Sequence, residues 1–393
     1  MTTLVRESFA RRAALVVALV WGGWAWGGDP PETVPITPHE QTLWDRVVEA
    51  QRPVPATQPF KDWFDSARQQ RRLLLSRVRL YLTLYPGGVH RDEAIRWELR
   101  TLFELGTLQG TGNREQGTGA PNEWRGGQFD ALAQRVEELR RAPPSAAALQ
   151  EAAYWAIVCE RTQGGEAAAV ESAATGLEPA LRQAHLAYIR AYPRSTRVPW
   201  LAALVFDDAA RGGDRPLMSE LVALLTSVFP EHPVTGNVRG KWQRTQALGE
   251  PFAPLLSGLD GKPLDWSAYR GRPVMLVVWA AFDDASRRAV QRIGHFRAGH
   301  PHLAVIGVSL DETAEATRTA ARELELDWLQ CNDGRGWGGE FVRQWGIDRL
   351  PLVFVIDAAG RLVTSDAGDG WEGPVRELMR DAAVPGERGA GAH

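Results

Sequence analysis

Three apolar runs in the last third of the chain constrain its fold more than any other feature. They are VMLVVWA from residue 274, LAVIGVSL at 303–310 and LVFVID at 352–357. Each run is the length of one buried strand. The first two lead into segments with apolar residues at helical spacing, and the third turns through Ala-Ala-Gly into RLVT. Strands that alternate with helices predict an α/β sandwich built around one sheet.

Four segments around these runs carry a specific pattern: LGEPFAPLLSGLDGKPLDWSAYRGRPVMLVVWA, GVSLDE, WLQCNDGRGWGGEFVRQWGI and LPLVFVIDAAGRLV. With them, the region resembles the thioredoxin-like domain of the TlpA/ResA (redoxin) family. They occur in the family's order and cover a little over a third of the chain. The resemblance implies a thioredoxin-like α/β domain over residues 248–384.

The residues at the family's active site differ from the family pattern. The WxxWCxxC motif falls on Trp279 to Ser286, so its cysteines correspond to Asp283 and Ser286, with Asp284 and Ala285 between them. A dithiol oxidoreductase needs a thiolate nucleophile and a second thiol that resolves the mixed disulfide. A carboxylate and a hydroxyl do neither. The site is therefore interpreted as redox-inactive, with no catalytic residue and no cofactor expected.

The two replacement side chains have structural interpretations. Asp283 stands where a helix begins, and a carboxylate there caps the helix N-terminus. With Asp284 it could also take part in a cation site, but the sequence shows no third ligand, so no metal site is predicted. Ser286 has no histidine at a motif spacing, which argues against a nucleophilic serine.

The proline before the third apolar run keeps the family pattern. In thioredoxin-like domains the residue that matches Pro351 is cis and faces the active-site turn. The fold alone explains such a proline. Alternatively, the backbone of Leu350 still pairs with an extended partner peptide, as substrates do in active relatives. The candidate residues of a binding cleft are Trp279, Phe282, Asp283, Leu350 and Pro351.

The two cysteines lie far apart in the sequence. Cys159 stands in YWAIVCE and is predicted to be a buried helix residue, whereas Cys331 stands in WLQCNDG and is expected in an exposed loop. Two such positions make neither a disulfide framework nor a metal-binding spacing. The alternative to a redox-inactive protein is an enzyme that retains thiol chemistry through Cys331.

The N-terminus has the pattern of a secretory signal peptide. Arginines precede an apolar run at 13–21, and small residues at Ala25 and Gly27 fit cleavage after Gly27. Residues 1–27 are thus predicted to direct export to the periplasm or cell envelope, or secretion. If the segment stays uncleaved, it becomes a membrane tether.

A helical region separates the signal from the α/β domain. Residues 28–59 form a proline-rich linker with a short helix, and the pattern over 60–247 is helical without a convincing strand. Tyr85-Pro86, Tyr192-Pro193 and Phe229-Pro230 each close an apolar helical stretch. The last two prolines are 37 residues apart (230 − 193). The region resembles degenerate tetratricopeptide-type repeats. The alternative is an irregular helical bundle.

The chain is therefore predicted to be an exported protein with a helical, repeat-like region, a thioredoxin-like domain and a disordered tail at 385–393. A formal charge of −3 and the absence of a basic patch give no reason to expect nucleic acid as a partner. The leading hypothesis is a non-catalytic module or scaffold that binds a protein or peptide. The competing hypotheses are the Cys331 enzyme, a purely structural role and an unrecognised catalytic activity.

Overall fold

The computed structural model describes residues 36–52, 60–112, 128–163, 176–366 and 370–382. The predicted signal peptide, residues 28–35 and 53–59 of the linker, and the C-terminal tail lie outside the described residues. The chain divides after Gly212 into two compact units. Within the described ranges, no helix is both long and apolar enough to cross a membrane.

The first unit is helical throughout its described residues. Its helices are α1 (Pro38–Ala50), α2 (Phe60–Leu84), α3 (Arg91–Gly112), α4 (Gln128–Arg141), α5 (Ala146–Gln163), α6 (Pro179–Ala191) and α7 (Val198–Arg211). Helices that follow one another in the sequence pack together, as α2 does with α3 and α4 with α5. Leu99, Leu132 and Trp155 lie in the core that α3, α4 and α5 share. Such apolar stripes are what drive amphipathic helices to pair.

The predicted helix ends at the aromatic–proline pairs are confirmed. The amide of each aromatic residue closes the preceding helix: Tyr85 donates to Tyr81, Tyr192 to Tyr188 and Phe229 to Leu225, at 2.8–2.9 Å. Each aromatic carbonyl then accepts a bond from the amide three residues later. A residue before proline is disfavoured in the helical conformation, so the chain must turn at these positions. The turns recur, while the assignment of the region to tetratricopeptide-type repeats stays a prediction.

The second unit begins with a helical hairpin and continues into the sheet. The hairpin consists of α8 (Arg215–Val228) and α9 (Pro233–Gln246). The strands are β1 (Val274–Trp279), β2 (Ala304–Ser309), β3 (Leu329–Cys331), β4 (Leu352–Ile356) and β5 (Leu362–Thr364). Four helices alternate with them: α10 (Asp284–Ala298), α11 (Ala314–Glu323), α12 (Glu340–Trp345) and α13 (Glu372–Ala382). The sequence assigned α8 and α9 to the helical region, whereas in the structure they share a unit with the sheet.

The five strands form one mixed sheet in the order β3-β2-β1-β4-β5. β1, β2 and β3 are parallel, and β4 runs antiparallel to both β1 and β5. Every residue of β1 is buried, because helices cover both faces of the sheet. Met275, Val277 and Trp279 pack on the side of α10, α11 and α13. Leu276 and Val278 pack on the opposite side with α12. The predicted α/β architecture is confirmed.

Loop segments cover the outer strands of the sheet. Beside β5, the amide of Gly249 donates to the carbonyl of Leu362 at 2.7 Å. Beside β3, the amide of Leu259 donates to the carbonyl of Gln330 at 3.2 Å. Exposed edge strands are ready to pair with another chain, and these segments occupy that position.

Candidate functional site

The strand register brings the two predicted parts of the cleft to one end of the sheet. Val278, near the end of β1, pairs with Leu352, the first residue of β4. The turn after β1 leads to Asp283, and the Leu350–Pro351 segment comes directly before β4. Both therefore lie where β1 ends. The Leu350–Pro351 peptide bond is cis, as the family resemblance implied.

Asp283 caps α10, which confirms the structural interpretation of this residue. Its backbone is extended, and its Oδ2 accepts a hydrogen bond from the amide of Ser286 at 2.7 Å. This bond satisfies one of the amides that the first helical turn leaves without an intrahelical partner. A carboxylate at this position also interacts favourably with the helix dipole. The family's nucleophile position is thus occupied by a side chain with a complete structural role.

Ser286 lies beneath the turn, and its side chain is fully buried. Its Oγ has no hydrogen-bond partner among the described residues. A nucleophilic serine needs a base within hydrogen-bonding reach, so this hydroxyl lacks the partner that would activate it. Across the described residues, no group of three or more histidine, cysteine, aspartate or glutamate side chains is placed to hold a metal ion.

The two aromatic candidates lie in different surroundings. Phe282 is 62% exposed and projects from the turn. Trp279 is fully buried, and its Nε1 donates to Oε1 of Gln330 at 3.0 Å. Phe282 therefore offers apolar surface at this end of the sheet, whereas Trp279 supports the turn from inside.

A buried carboxylate that the sequence analysis did not single out anchors the turn. The amide of Ala281 donates to Oδ1 of Asp311 at 3.0 Å. Ser309 donates its hydroxyl to Oδ2 of the same carboxylate at 2.7 Å. Asn332 donates through Nδ2 to the backbone carbonyl of Asp311 at 2.9 Å. In the sequence, the only indication that Asp311 anchors the turn was its position at the end of GVSLD, directly after the apolar run at 303–310. These bonds anchor the turn after β1 to the loop that follows β2.

The backbone of Leu350, next to the cis-proline, is the remaining candidate for a binding feature at this end of the sheet. Neither its amide nor its carbonyl makes a hydrogen bond to any described residue. The side chains of Leu350 and Pro351 are partly exposed. Backbone groups in folded proteins are almost always paired, with protein or with water. Leu350 therefore has one backbone donor and one backbone acceptor without a protein partner among the described residues.

The structure corrects the expected position of Cys331. This residue ends β3, is 1% exposed and packs in the apolar core of the sheet. Burial raises the pKa of its thiol to about 12. Cys159 lies in α5 as predicted, and burial raises the pKa of its thiol to about 11. Reactive thiols have lowered pKa values, so neither side chain has the electrostatic surroundings of a redox cysteine.

These features define a thioredoxin-like domain: a central mixed sheet, a helix that begins after the first strand and a cis-proline at the same end of the sheet. Residues 246–379 match the family model described as Redoxin. The C-terminal domain is therefore a redoxin-type thioredoxin-like domain. The match lies wholly within the second unit.

Curated relatives and solved structures match the same part of the chain. Thiol-disulfide oxidoreductase ResA from Bacillus thuringiensis is 20% identical over 128 residues, which are 32% of this chain and 72% of the relative. The ResA protein of Bacillus cereus gives the same values. A thiol-disulfide oxidoreductase from Bacteroides fragilis is 28% identical and has a TM-score of 0.29, covering 33% of this chain and 98% of the other. The thioredoxin domain of a thiol-disulfide oxidoreductase from Bacteroides vulgatus is 18% identical, with a TM-score of 0.31 and coverages of 34% and 97%.

Proposed function

We propose that this protein is an exported, non-catalytic binding module, whose thioredoxin-like domain holds an extended protein segment without exchanging a disulfide. The observation that carries the proposal is a Leu350 backbone without a hydrogen-bond partner among the described residues, at the same end of the sheet as a site that has no thiol at Asp283 or Ser286. In β-strand addition, main-chain hydrogen bonds give affinity, and nearby apolar groups give specificity.

The arrangement of the sheet directs an added strand to this position. The loop segments at Gly249 and Leu259 occupy the outer edges of β5 and β3. Leu350 precedes β4 at the end of the sheet where β1 ends, and the turn that carries the exposed ring of Phe282 follows β1 at the same end. An extended segment at Leu350 would gain main-chain bonds and place side chains near that ring. Without a covalent step, such binding is reversible.

Turnover by thiol chemistry has little support. A mixed disulfide forms when a thiolate attacks a disulfide sulfur and expels the other sulfur as a thiolate. Asp283 and Ser286 supply no sulfur for either half of this exchange. Cys331 is 1% exposed, and burial raises the pKa of its thiol to about 12. A buried, protonated sulfur is a poor nucleophile, so the alternative enzyme that acts through Cys331 is disfavoured.

Two further elements of the proposal come from the rest of the chain. The apolar run at 13–21, with small residues at Ala25 and Gly27, supports export. The helical pairs of the first unit provide a second surface of the kind that stacked helical repeats use for partners. Edman sequencing of the protein recovered from a bacterial envelope fraction would distinguish a chain cleaved after Gly27 from a tethered one.

Photo-crosslinking tests the cleft directly. A benzoylphenylalanine is placed at Phe282 or Leu350 and, as a control, at Val363 in β5. Thr364 pairs with Val355, which pairs with Met275, so Val363 lies towards the opposite end of the sheet. The probe is labelled, reduced and carboxymethylated α-lactalbumin, an unfolded chain. Adducts at Phe282 and Leu350 but not at Val363 support the proposal. Equal labelling at all three positions, or none, refutes it.

An insulin reduction assay tests the absence of catalysis. The wild-type protein should not exceed the rate without protein, whereas the Asp283→Cys/Ser286→Cys double variant should gain activity because the helix start and the turn are already in place. Wild-type turnover that Cys331→Ser abolishes would instead establish the alternative enzyme.

A further inference from the structure

Helix α9 and the segment that leads to the cleft approach each other unusually closely. Gly240 of α9 faces Gly346, which ends α12 in a left-handed conformation with φ of 57°. A Cβ atom built on Gly240 would lie 2.6 Å from the Cα of Gly346. A Cβ built on Gly346 would lie 2.6 Å from the backbone nitrogen of Lys241. Two glycines are needed here because the two backbones are in direct contact.

Charged side chains of α9 hold the same segment. Nζ of Lys241 lies 2.6 Å from Oδ2 of Asp348, and the lysine side chain is 8% exposed. Arg244 is buried, and it donates to the carbonyl of Gly346 at 3.4 Å and to that of Ser365 at 3.5 Å. Buried cations are tolerated only with partners, and these partners lie in the segments on either side of β4 and β5.

The contacts end two residues before the cleft. Asp348 precedes Leu350 by two positions, and the cis bond to Pro351 follows. Segment 346–351 thus begins at Gly346, which is packed against Gly240. It continues through Asp348, which forms an ion pair with Lys241, and reaches Leu350, whose backbone has no hydrogen-bond partner among the described residues. The direction in which Leu350 presents its amide and carbonyl depends on this path.

We propose that α9 is the positioning element of the cleft, and that Lys241 and Arg244 are positioning residues which hold segment 346–351 for an incoming chain. The inference rests on the proposed function for the identity of the site. It adds that binding at Leu350 is set by a helix outside the matched family region, since Lys241 and Arg244 precede residue 246. A change at α9 would therefore alter binding without touching the cleft.

Hydrogen exchange of the full chain tests the positioning step without any ligand. Lys241→Met removes the charge and retains the length of the side chain. Amide exchange in residues 346–352 should rise at least about tenfold, because the loss of the ion pair with the exposed Asp348 removes a contact that holds this segment against α9. Lys241→Arg should restore most of the protection. Arg239→Met, at an exposed position of the same helix, is the matched control and should change nothing.

The location of the change separates positioning from general destabilisation. Exchange in β1 and α10 should stay at the wild-type level in Lys241→Met. A uniform rise across the second unit, or no rise in 346–352, would overturn the inference. Asp348→Asn should reproduce the local change, because it removes the other partner of the same pair.

Crosslinking then connects the position of the segment to binding. With benzoylphenylalanine at Leu350 and carboxymethylated α-lactalbumin as the probe, the adduct yield should fall at least about fivefold in Lys241→Met and recover in Lys241→Arg. If the wild-type protein forms no adduct, the proposed function fails, while the exchange experiment still decides whether α9 positions the segment. If the wild type forms adducts and Lys241→Met forms them equally well, the inference fails and the proposed function stands.

Discussion

Asp283 offers a quantitative test of what replaced the nucleophile. In Asp283→Ala, the amide of Ser286 loses the carboxylate that accepts its hydrogen bond at 2.7 Å. Loss of such a cap costs about 0.5–2 kcal/mol. Removal of the negative charge from the helix N-terminus adds about 0.3–1 kcal/mol. Since the two effects overlap, the expected loss in the free energy of unfolding is about 1–2 kcal/mol.

Two conservative variants separate the hydrogen bond from the charge. Asp283→Asn and Asp283→Ser keep an oxygen acceptor and lose only the charge, so each should cost about 0.3–1 kcal/mol. Asp284→Ala is the matched control, because Asp284 is an exposed acidic residue in the same first turn and accepts no capping bond. Its effect should not exceed that of the charge alone.

Differential scanning calorimetry measures these differences. For a unit of the size of Gly213–His393, each kcal/mol shifts the melting temperature by about 2–4 °C. Asp283→Ala should therefore melt about 2–8 °C below the wild type, and Asn and Ser should lie between them. Equal melting temperatures for Ala, Asn and wild type would refute the capping account. A clear increase in stability on removal of the carboxylate would mean that the residue is kept for binding at the expense of the fold.

Three other variants test particular contacts. Ser286→Ala should stabilise the second unit by about 1 kcal/mol in urea denaturation, because it removes a buried hydroxyl without a partner among the described residues; a loss of stability would contradict this. Gly240→Ala should lower the melting temperature, whereas Gly236→Ala, in open surroundings on the same helix, should not. Burial raises the pKa of Cys331 to about 12, so the folded chain keeps a proton that the unfolded chain loses above about pH 8.5. Stability should therefore fall between about pH 9 and pH 12, by at most ~1.4 kcal/mol per pH unit, and Cys331→Ala should reduce this slope.

The sequence predicted the parts of the fold that depend on local patterns. Apolar runs identified β1, β2 and β4, and the aromatic–proline pairs marked three helix ends. Asp283 was recognised as a cap because residue type and helix start coincide in a few adjacent positions. Each of these features depends on neighbours within about four residues, which a single sequence displays directly.

The features that the sequence did not predict depend on pairing across long separations. Cys331 was expected in a loop because Asn332, Asp333 and Gly334 follow it, yet register with Val308 places it in a buried strand. In the sequence, Asp311 has the pattern of an ordinary turn residue. Only the structure shows that its carboxylate accepts a hydrogen bond from the amide of Ala281. Lys241 and Asp348 are over a hundred positions apart, and no local pattern connects them.

The close contact between Gly240 and Gly346 has a consequence for how this domain can be inherited. The matched family region begins at residue 246, at the very end of α9. A recombination event with its breakpoint there would transfer the sheet without the helix that carries Lys241 and Arg244. Asp348 would lose its partner, and the backbone at Gly346 would lose the surface against which it is fitted. The smallest segment that can be exchanged intact between proteins therefore begins upstream of α9, and the two glycines should vary together among sequences that share this arrangement.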